Sequence, residues 1–240
     1  MNGFPMAILL VMPVLLAASV SALPDKVSTT AIPDLSGVRA VAISGDASSI
    51  NITTRSDQPY GASLSGRRKG WFSSWYSSWY FADCRDDSNM RVEGTVLHID
   101  IAASSWLDPS DCVIEVNANV PAGAALRIDQ SAFTARLNGR FSDLAIAGKA
   151  ADVTFDGHAG GIDIRADAVR ASLDFDRVEA DERVSIRARA LDAYLGFGDS
   201  VPIDYKVTAK ASWVDARQPS VPGVMPRVEI DGDFVRVRIR

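Results

Sequence analysis

Histidine and cysteine are scarce in this chain of 240 residues, which contains two of each. Neither His98 nor His158 has a serine, cysteine or second histidine at a spacing typical of a catalytic triad. The sequence also lacks the GxSxG, P-loop and dinucleotide-binding motifs. We therefore expect a protein that is not an enzyme and that needs no cofactor.

Basic residues are fewer than acidic ones. Lysine and arginine total 25 against 30 acidic residues, which gives a formal net charge of −5. Because nucleic acid is bound through lysine and arginine contacts to phosphates, this balance argues against a nucleic-acid partner.

The first 22 residues contain no charged side chain. An apolar run from Met6 to Ala18, broken by Pro13, is followed by Ser19-Val20-Ser21-Ala22, which suits cleavage after Ala22. The run is too short for a good membrane span, although an uncleaved anchor stays an alternative. The sequence therefore predicts a signal peptide over residues 1–22 and a periplasmic or extracellular protein.

The two cysteines, Cys84 and Cys112, lie 28 residues apart. In an oxidising compartment such a pair most simply forms one disulfide, which in the chain-entropy model stabilises the fold by roughly 3 kcal/mol. A metal site is the weaker interpretation, because neither cysteine sits in a CxxC pair and His98 is the only histidine nearby. We expect a disulfide and no metal.

Short alternating segments recur through the second half of the chain. Paired apolar residues begin successive units at steps of 18, 18, 22 and 21 residues. The pairs are Leu126/Ile128, Leu144/Ile146, Ile162/Ile164, Val184/Ile186 and Tyr205/Val207. A fixed period of about 20 residues with period-2 alternation is typical of coils stacked into a solenoid.

The fold class predicted from this ladder is all-β, with a β-solenoid of period 18–22 as the architecture. Each unit carries too little apolar surface to be buried alone, so copies would stack and share one core. An antiparallel β-sandwich would also alternate and remains the alternative, although its turns would seldom recur at so steady a spacing.

The rest of the chain divides around this ladder. We predict an N-terminal arm over 23–36 and a solenoid domain over 37–216, interrupted by an aromatic insertion over 56–89. Three prolines mark residues 217–226 as a linker, and residues 228–240 read as a closing, hairpin-like pair of strands.

A family resemblance starts from the strand-turn-strand that runs from Val113 through Pro121-Ala122-Gly123 to Ile128. It continues into repeats with Gly139, Gly157 and Gly160-Gly161 at the turns. Residues 90–216 resemble the bacterial putative-adhesin domains, which include the head GIN domain of presumed auto-transporter adhesins. The resemblance implies an envelope-facing β-solenoid of unknown function with no catalytic residues to carry over.

The aromatic insertion holds three near copies of an aromatic-aromatic-Ser-Ser unit after Arg67-Arg68-Lys69. In a helix or in a strand these rings would form one apolar ridge. The ridge could bind an envelope glycan or another envelope protein, contact a membrane surface, or only cap an open end of the solenoid. The candidate binding residues are Trp71, Phe72, Trp75, Tyr76, Trp79 and Tyr80.

A second candidate surface is acidic, with carboxylates at outward positions of neighbouring coils. Paired carboxylates can cleave glycosidic bonds, but the arginines between them favour a solvated face of ion pairs. These carboxylates are Asp152, Asp156, Asp174, Asp176 and Asp192. The sequence thus favours an exported, non-catalytic, adhesin-like interaction module, with a polysaccharide-cleaving enzyme as the alternative and an undetermined oligomeric state.

Overall fold

The computed structural model describes residues 28–68, 88–102, 112–179, 182–198 and 201–240. Every regular element in these ranges is a β-strand, and the strands form one mixed sheet. The all-β class is confirmed. The ten strands are β1 Ser28–Ile32, β2 Ala40–Thr53, β3 Gly61–Arg68, β4 Asn89–Glu93, β5 Val96–Ile101, β6 Cys112–Asn119, β7 Ala124–Phe175, β8 Arg183–Gly196, β9 Asp204–Ala216 and β10 Arg227–Ile239.

Period-2 alternation produces the burial pattern along the long strands. Leu126 and Ile128 are buried while Arg127 and Asp129, which alternate with them, are exposed, because successive side chains of a strand point to opposite faces. The same pattern repeats through β7, β8 and β10. The inward residues form one aliphatic core, and four phenylalanine rings contact one another along it at centroid distances of 6.3, 5.5 and 4.7 Å. These rings belong to Phe141, Phe155, Phe175 and Phe197.

The long strands pair in parallel and in register. Leu126 of β7 lies opposite Val41 of β2, and Ile162 of β7 lies opposite Val184 of β8. Inside the 52 residues of β7 the chain meets itself at a step of 18 residues, since Gly157 lies against Gly139. The spacing expected from the sequence therefore recurs as contacts between neighbouring strands.

The C-terminal strands are ordered differently from the sequence ladder. Val228 of β10 lies opposite both Val184 of β8 and Tyr205 of β9, so β10 is inserted between them. The prediction that Tyr205 and Val207 follow Val184 and Ile186 directly was wrong. Residues 227–239 also form one continuous strand, not a hairpin-like pair. The reason is hydrophobicity, because the inward residues of β10 are aliphatic throughout and reach 4% exposure at most. The β9 residues in register with them are partly buried or exposed, and they include Ser212 and Ala216 beside Tyr205, Val207 and Val214.

At its N-terminal end the sheet divides. The first half of β2 pairs with β5, and its second half pairs with β6. Antiparallel strands follow on both branches: β4 lies beside β5 on one, and β3 lies beside β6, with β1 beside β3, on the other. Two sequence interpretations change here, because the predicted arm contributes β1 and the predicted insertion contributes β3.

Candidate functional site

A groove of about 800 Å³ runs across the outer face of β7, β8, β10 and β9. Its floor consists of exposed alanines at equivalent positions of successive strand segments. Ala168 lies opposite Ala190, and Ala190 lies opposite Phe234. Because an alanine side chain is a single methyl group, longer side chains beside it stand above the floor. The floor alanines are Ala132, Ala150, Ala168 and Ala190.

Two exposed aromatic residues occupy the C-terminal end of the groove. Phe234 is 66% exposed and Trp213 is 49% exposed, the two largest values among the large apolar side chains that the structure describes. Strand alternation turns both outward, since Phe234 and Trp213 flank inward-facing positions of β10 and β9. Exposed aromatic surface of this kind is typical of contact sites.

Arginines of β10 hold the indole in place. The guanidinium carbons of Arg236 and Arg238 lie 5.3 and 5.7 Å from the centroid of the Trp213 ring. These distances fit cation–π contacts, which are worth about 0.5–1 kcal/mol at exposed sites. The aromatic end of the groove is therefore partly ordered before any ligand arrives.

Charges of alternating sign follow one wall of the groove. Arg170 lies 3.9 Å from Asp152 and opposite Asp192, which in turn lies opposite Arg236. The Asp152–Arg170 pair is well exposed, so it contributes at most about 1 kcal/mol. The wall offers hydrogen-bond donors and acceptors in turn.

The other predicted carboxylates lie on a neighbouring row. Burial raises the pKa of Asp174, and the nearby Asp156 raises it further. Asp176 is exposed and directly follows the last residue of β7. Asp152, by contrast, is engaged by Arg170. The hypothesis of a cleaving carboxylate pair stays a prediction.

A buried histidine and a buried glutamate meet at the corner before β8. His158 Nδ1 lies 2.8 Å from Glu182 Oε1, and His158 Nε2 lies 3.6 Å from Glu179 Oε2. The Glu182 side chain has no exposed surface. His158 Nδ1 and Glu182 Oε1 are close, but their geometry is not that of a hydrogen bond. Burial raises the pKa of Glu182, and His158 acts in the opposite direction. Sequence analysis missed Glu182, which lies in a charged stretch without alternation.

The aromatic residues predicted as a platform lie outside the described residues, as does Cys84. Cys112 begins β6, where its backbone pairs with Arg68 of β3. The predicted platform and the predicted Cys84–Cys112 disulfide stay predictions. The platform comprises Trp71, Phe72, Trp75, Tyr76, Trp79 and Tyr80. Over the described ranges we find no group of three or more acidic, histidine or cysteine residues arranged to hold a metal.

No protein-family model and no curated protein matches the chain. Among solved structures it is similar to a putative cell adhesion protein from Clostridium sporogenes, with 10% identity, a TM-score of 0.49 and coverage of 90% of this chain and 99% of that one. A putative adhesin from Bacteroides fragilis matches at 11% identity and a TM-score of 0.41, with 89% and 96% covered. A putative lipid binding protein from Parabacteroides distasonis matches at 14% identity and a TM-score of 0.35, with 89% and 97% covered.

Two of these three similar proteins are a putative cell adhesion protein and a putative adhesin, and residues 90–216 resemble the bacterial putative-adhesin domains. No helix in the described part of the chain is long and apolar enough to cross a membrane.

Proposed function

We propose that this chain is an exported, non-catalytic binding module of the bacterial envelope, and that its ligand is a linear glycan held in the alanine groove. The observation that carries the proposal is the groove itself, with its apolar floor, its wall of alternating charges and two exposed rings at one end. Export is supported by the apolar, uncharged pattern of residues 1–22.

Stacked coils would give the groove its length. The long strands pair in parallel throughout the series from β2 to β9, which supports a solenoid. A sandwich built of hairpins would pair sequential strands antiparallel instead. In a solenoid, equivalent residues form rows along the axis, so the alanine floor would run along the stack and accept an extended ligand.

A glycan fits this surface better than a hydrocarbon chain does. Sugar rings present apolar faces, which suit the methyl floor and the rings of Trp213 and Phe234. Sugar hydroxyls would hydrogen-bond to Asp152, Arg170 and Asp192 along the wall. An acyl chain would leave those polar groups desolvated without partners, which costs free energy.

The test is to replace both rings, Trp213→Ala with Phe234→Ala, and to measure binding to purified peptidoglycan and to neutral capsular polysaccharide. We expect binding at least about fivefold weaker, since the two aromatic contacts are worth about 0.5–1.5 kcal/mol each. The matched control is Val92→Ala with Val221→Ala, which removes exposed apolar surface elsewhere. Unchanged binding, or an equal loss in the control, would contradict the proposal.

The same assays decide between the groove and the predicted platform. Replacing Trp71, Trp75 and Trp79 by alanine should leave polysaccharide binding intact if Trp213 and Phe234 carry it. If this variant loses more binding than the Trp213/Phe234 variant, the platform is the binding site. New reducing ends after incubation with the polysaccharides would instead establish a cleaving enzyme.

A further inference from the structure

We propose a second binding site, for an oxyanion group of an acidic polysaccharide, in a cleft of about 520 Å³ on the outer face of the middle of β7 and the first halves of β8 and β10. Its centre is the segment Arg183-Val184-Ser185-Ile186-Arg187 of β8. Alternation buries Val184 and Ile186 and turns Arg183, Ser185 and Arg187 to the same outer face. The cleft shares no lining residue with the alanine groove.

Like charges face one another across the strands of this cleft. Arg187 lies opposite Arg165 of β7, and Arg183 lies opposite Arg227 of β10. In-register parallel strands bring such neighbours about 4.8 Å apart at the backbone, and like charges directly opposite destabilise a sheet. The arrangement favours a site that an anion neutralises.

The carboxylates of the cleft do not provide that neutralisation for β8. Asp163 lies 2.5 Å from Arg165 on its own strand, and Glu229 lies 2.7 Å from Arg227 on its own strand. Within the described residues, Arg183 and Arg187 make no ion pair, even though Asp231 is the register neighbour of Arg187 on β10. Two guanidinium groups are therefore available.

The two available guanidinium groups sit two residues apart, about 6.6 Å along the strand, with the Ser185 hydroxyl between them. One carboxylate, sulfate or phosphate can accept hydrogen bonds from both arginines and from the serine. Guanidinium groups suit this role, because their planar donors match oxyanions in pairs. Ala145 and Gly161, which also line the cleft, are small residues and leave room for the bound group.

An acidic polysaccharide fits better than a membrane. None of the large exposed apolar side chains that the structure describes lines the cleft, so nothing there would insert into lipid. Asp143, Asp163 and Glu229 also line it, and they would repel a continuous anionic surface. Asp163 and Glu229 are the register neighbours of Ser185 on β7 and β10, and each is paired with an arginine of its own strand. A polymer whose acidic groups are spaced apart can place one group between Arg183 and Arg187 and meet only these two paired carboxylates.

The experiment compares Arg183→Gln with Arg187→Gln against a control, Arg127→Gln with Arg136→Gln, which makes the same charge change at exposed positions outside both sites. The probe is polygalacturonate at low salt, measured by isothermal titration calorimetry. We expect the cleft variant to bind at least about tenfold more weakly and with a smaller salt dependence, and the control to bind like the parent protein.

Three results would overturn the proposal: equal losses in both variants, no loss in the cleft variant, or binding of phosphatidylglycerol vesicles without binding of polygalacturonate. Thermal unfolding checks that both variants are folded. The oxyanion site and the alanine groove share only their ligand class, a polysaccharide, and either proposal can be wrong while the other holds. The cleft variant should keep neutral polysaccharide binding, and the Trp213/Phe234 variant should keep polygalacturonate binding.

Discussion

At the scale of single residues, Glu182 is the least expected side chain in the structure. A carboxylate with no exposed surface lies beside His158, and neither carboxylate oxygen makes a well-directed hydrogen bond within the described residues. Desolvation of this kind disfavours the charged form, which is why the pKa of Glu182 is raised. The backbone carbonyl of Glu182 accepts a hydrogen bond from the Arg227 amide, so the backbone of Glu182 also positions the start of β10.

The raised pKa of Glu182 has a predictable effect on stability. A carboxyl group whose pKa is higher in the folded protein stabilises the fold at acidic pH, fully below its unfolded value near 4.5. That contribution is lost as the pH rises through the raised folded value. Glu182→Gln should therefore gain stability over the parent at pH 7.5 and lose that advantage at pH 4. Each pKa unit of elevation corresponds to about 1.4 kcal/mol.

Urea unfolding of both proteins at several pH values measures this difference. Glu229→Gln serves as the control because Glu229 is half exposed on β10, and its difference from the parent should stay small. A pH-independent difference between Glu182→Gln and the parent would mean that Glu182 does not titrate in this range and would contradict the prediction.

At the scale of elements, two glycines inside β7, Gly139 and Gly157, permit neighbouring segments of this long strand to approach closely. Gly157 has a φ of +143°, and a Cβ there would collide with the carbonyl oxygen of Gly139 on the preceding segment. Gly139 also has a positive φ, of +117°. Since side-chain-bearing residues rarely adopt such angles, the corner requires glycine for its backbone conformation and for its packing.

Gly157→Ala should separate these two requirements when it is compared with Gly123→Ala. Gly123 has a φ of +83°, but a Cβ there would meet no atom within 4 Å apart from its chain neighbours. We expect Gly123→Ala to cost about 1 kcal/mol from backbone strain alone. Gly157→Ala adds overpacking and should cost about 3 kcal/mol or more. Chemical denaturation measures both, and equal costs would show that the close approach to Gly139 is unimportant.

The elements also show what sequence could and could not predict. Alternation predicted the inward rows of β7 and β8, because burial and period 2 are local properties of a strand. The order of β9 and β10 depends on which strand covers β8 with more aliphatic surface, which is a competition between distant segments. The sequence analysis missed the alanine floor, although Ala132, Ala150 and Ala168 recur at steps of 18, and only the structure brings Phe234 and Trp213 to its end.

At the scale of the whole molecule, the two ends of the strand series differ. At the N-terminal end, antiparallel strands follow β5 and β6 on both branches. At the C-terminal end, β9 closes the strand order, and its only strand neighbour in the described residues is β10. Val207 of β9 is half-buried and Val214 is 39% exposed, although both lie opposite fully packed residues of β10. β9 should therefore depend on β10 for its stability.

This dependence predicts a directional response to a core mutation. Ile230 of β10 is 2% exposed and lies opposite Ile186 and Val207, so Ile230→Ala should cost about 2–5 kcal/mol. Because strands contact only their neighbours in such a series, amide-exchange protection should fall in β10 and β9 and persist in β2. Ile52→Ala, at a fully buried site of β2, is the matched control and should spare β9. A uniform loss of protection in both variants would mean that the sheet unfolds as one unit, with β9 no more dependent on β10 than on the distant strands.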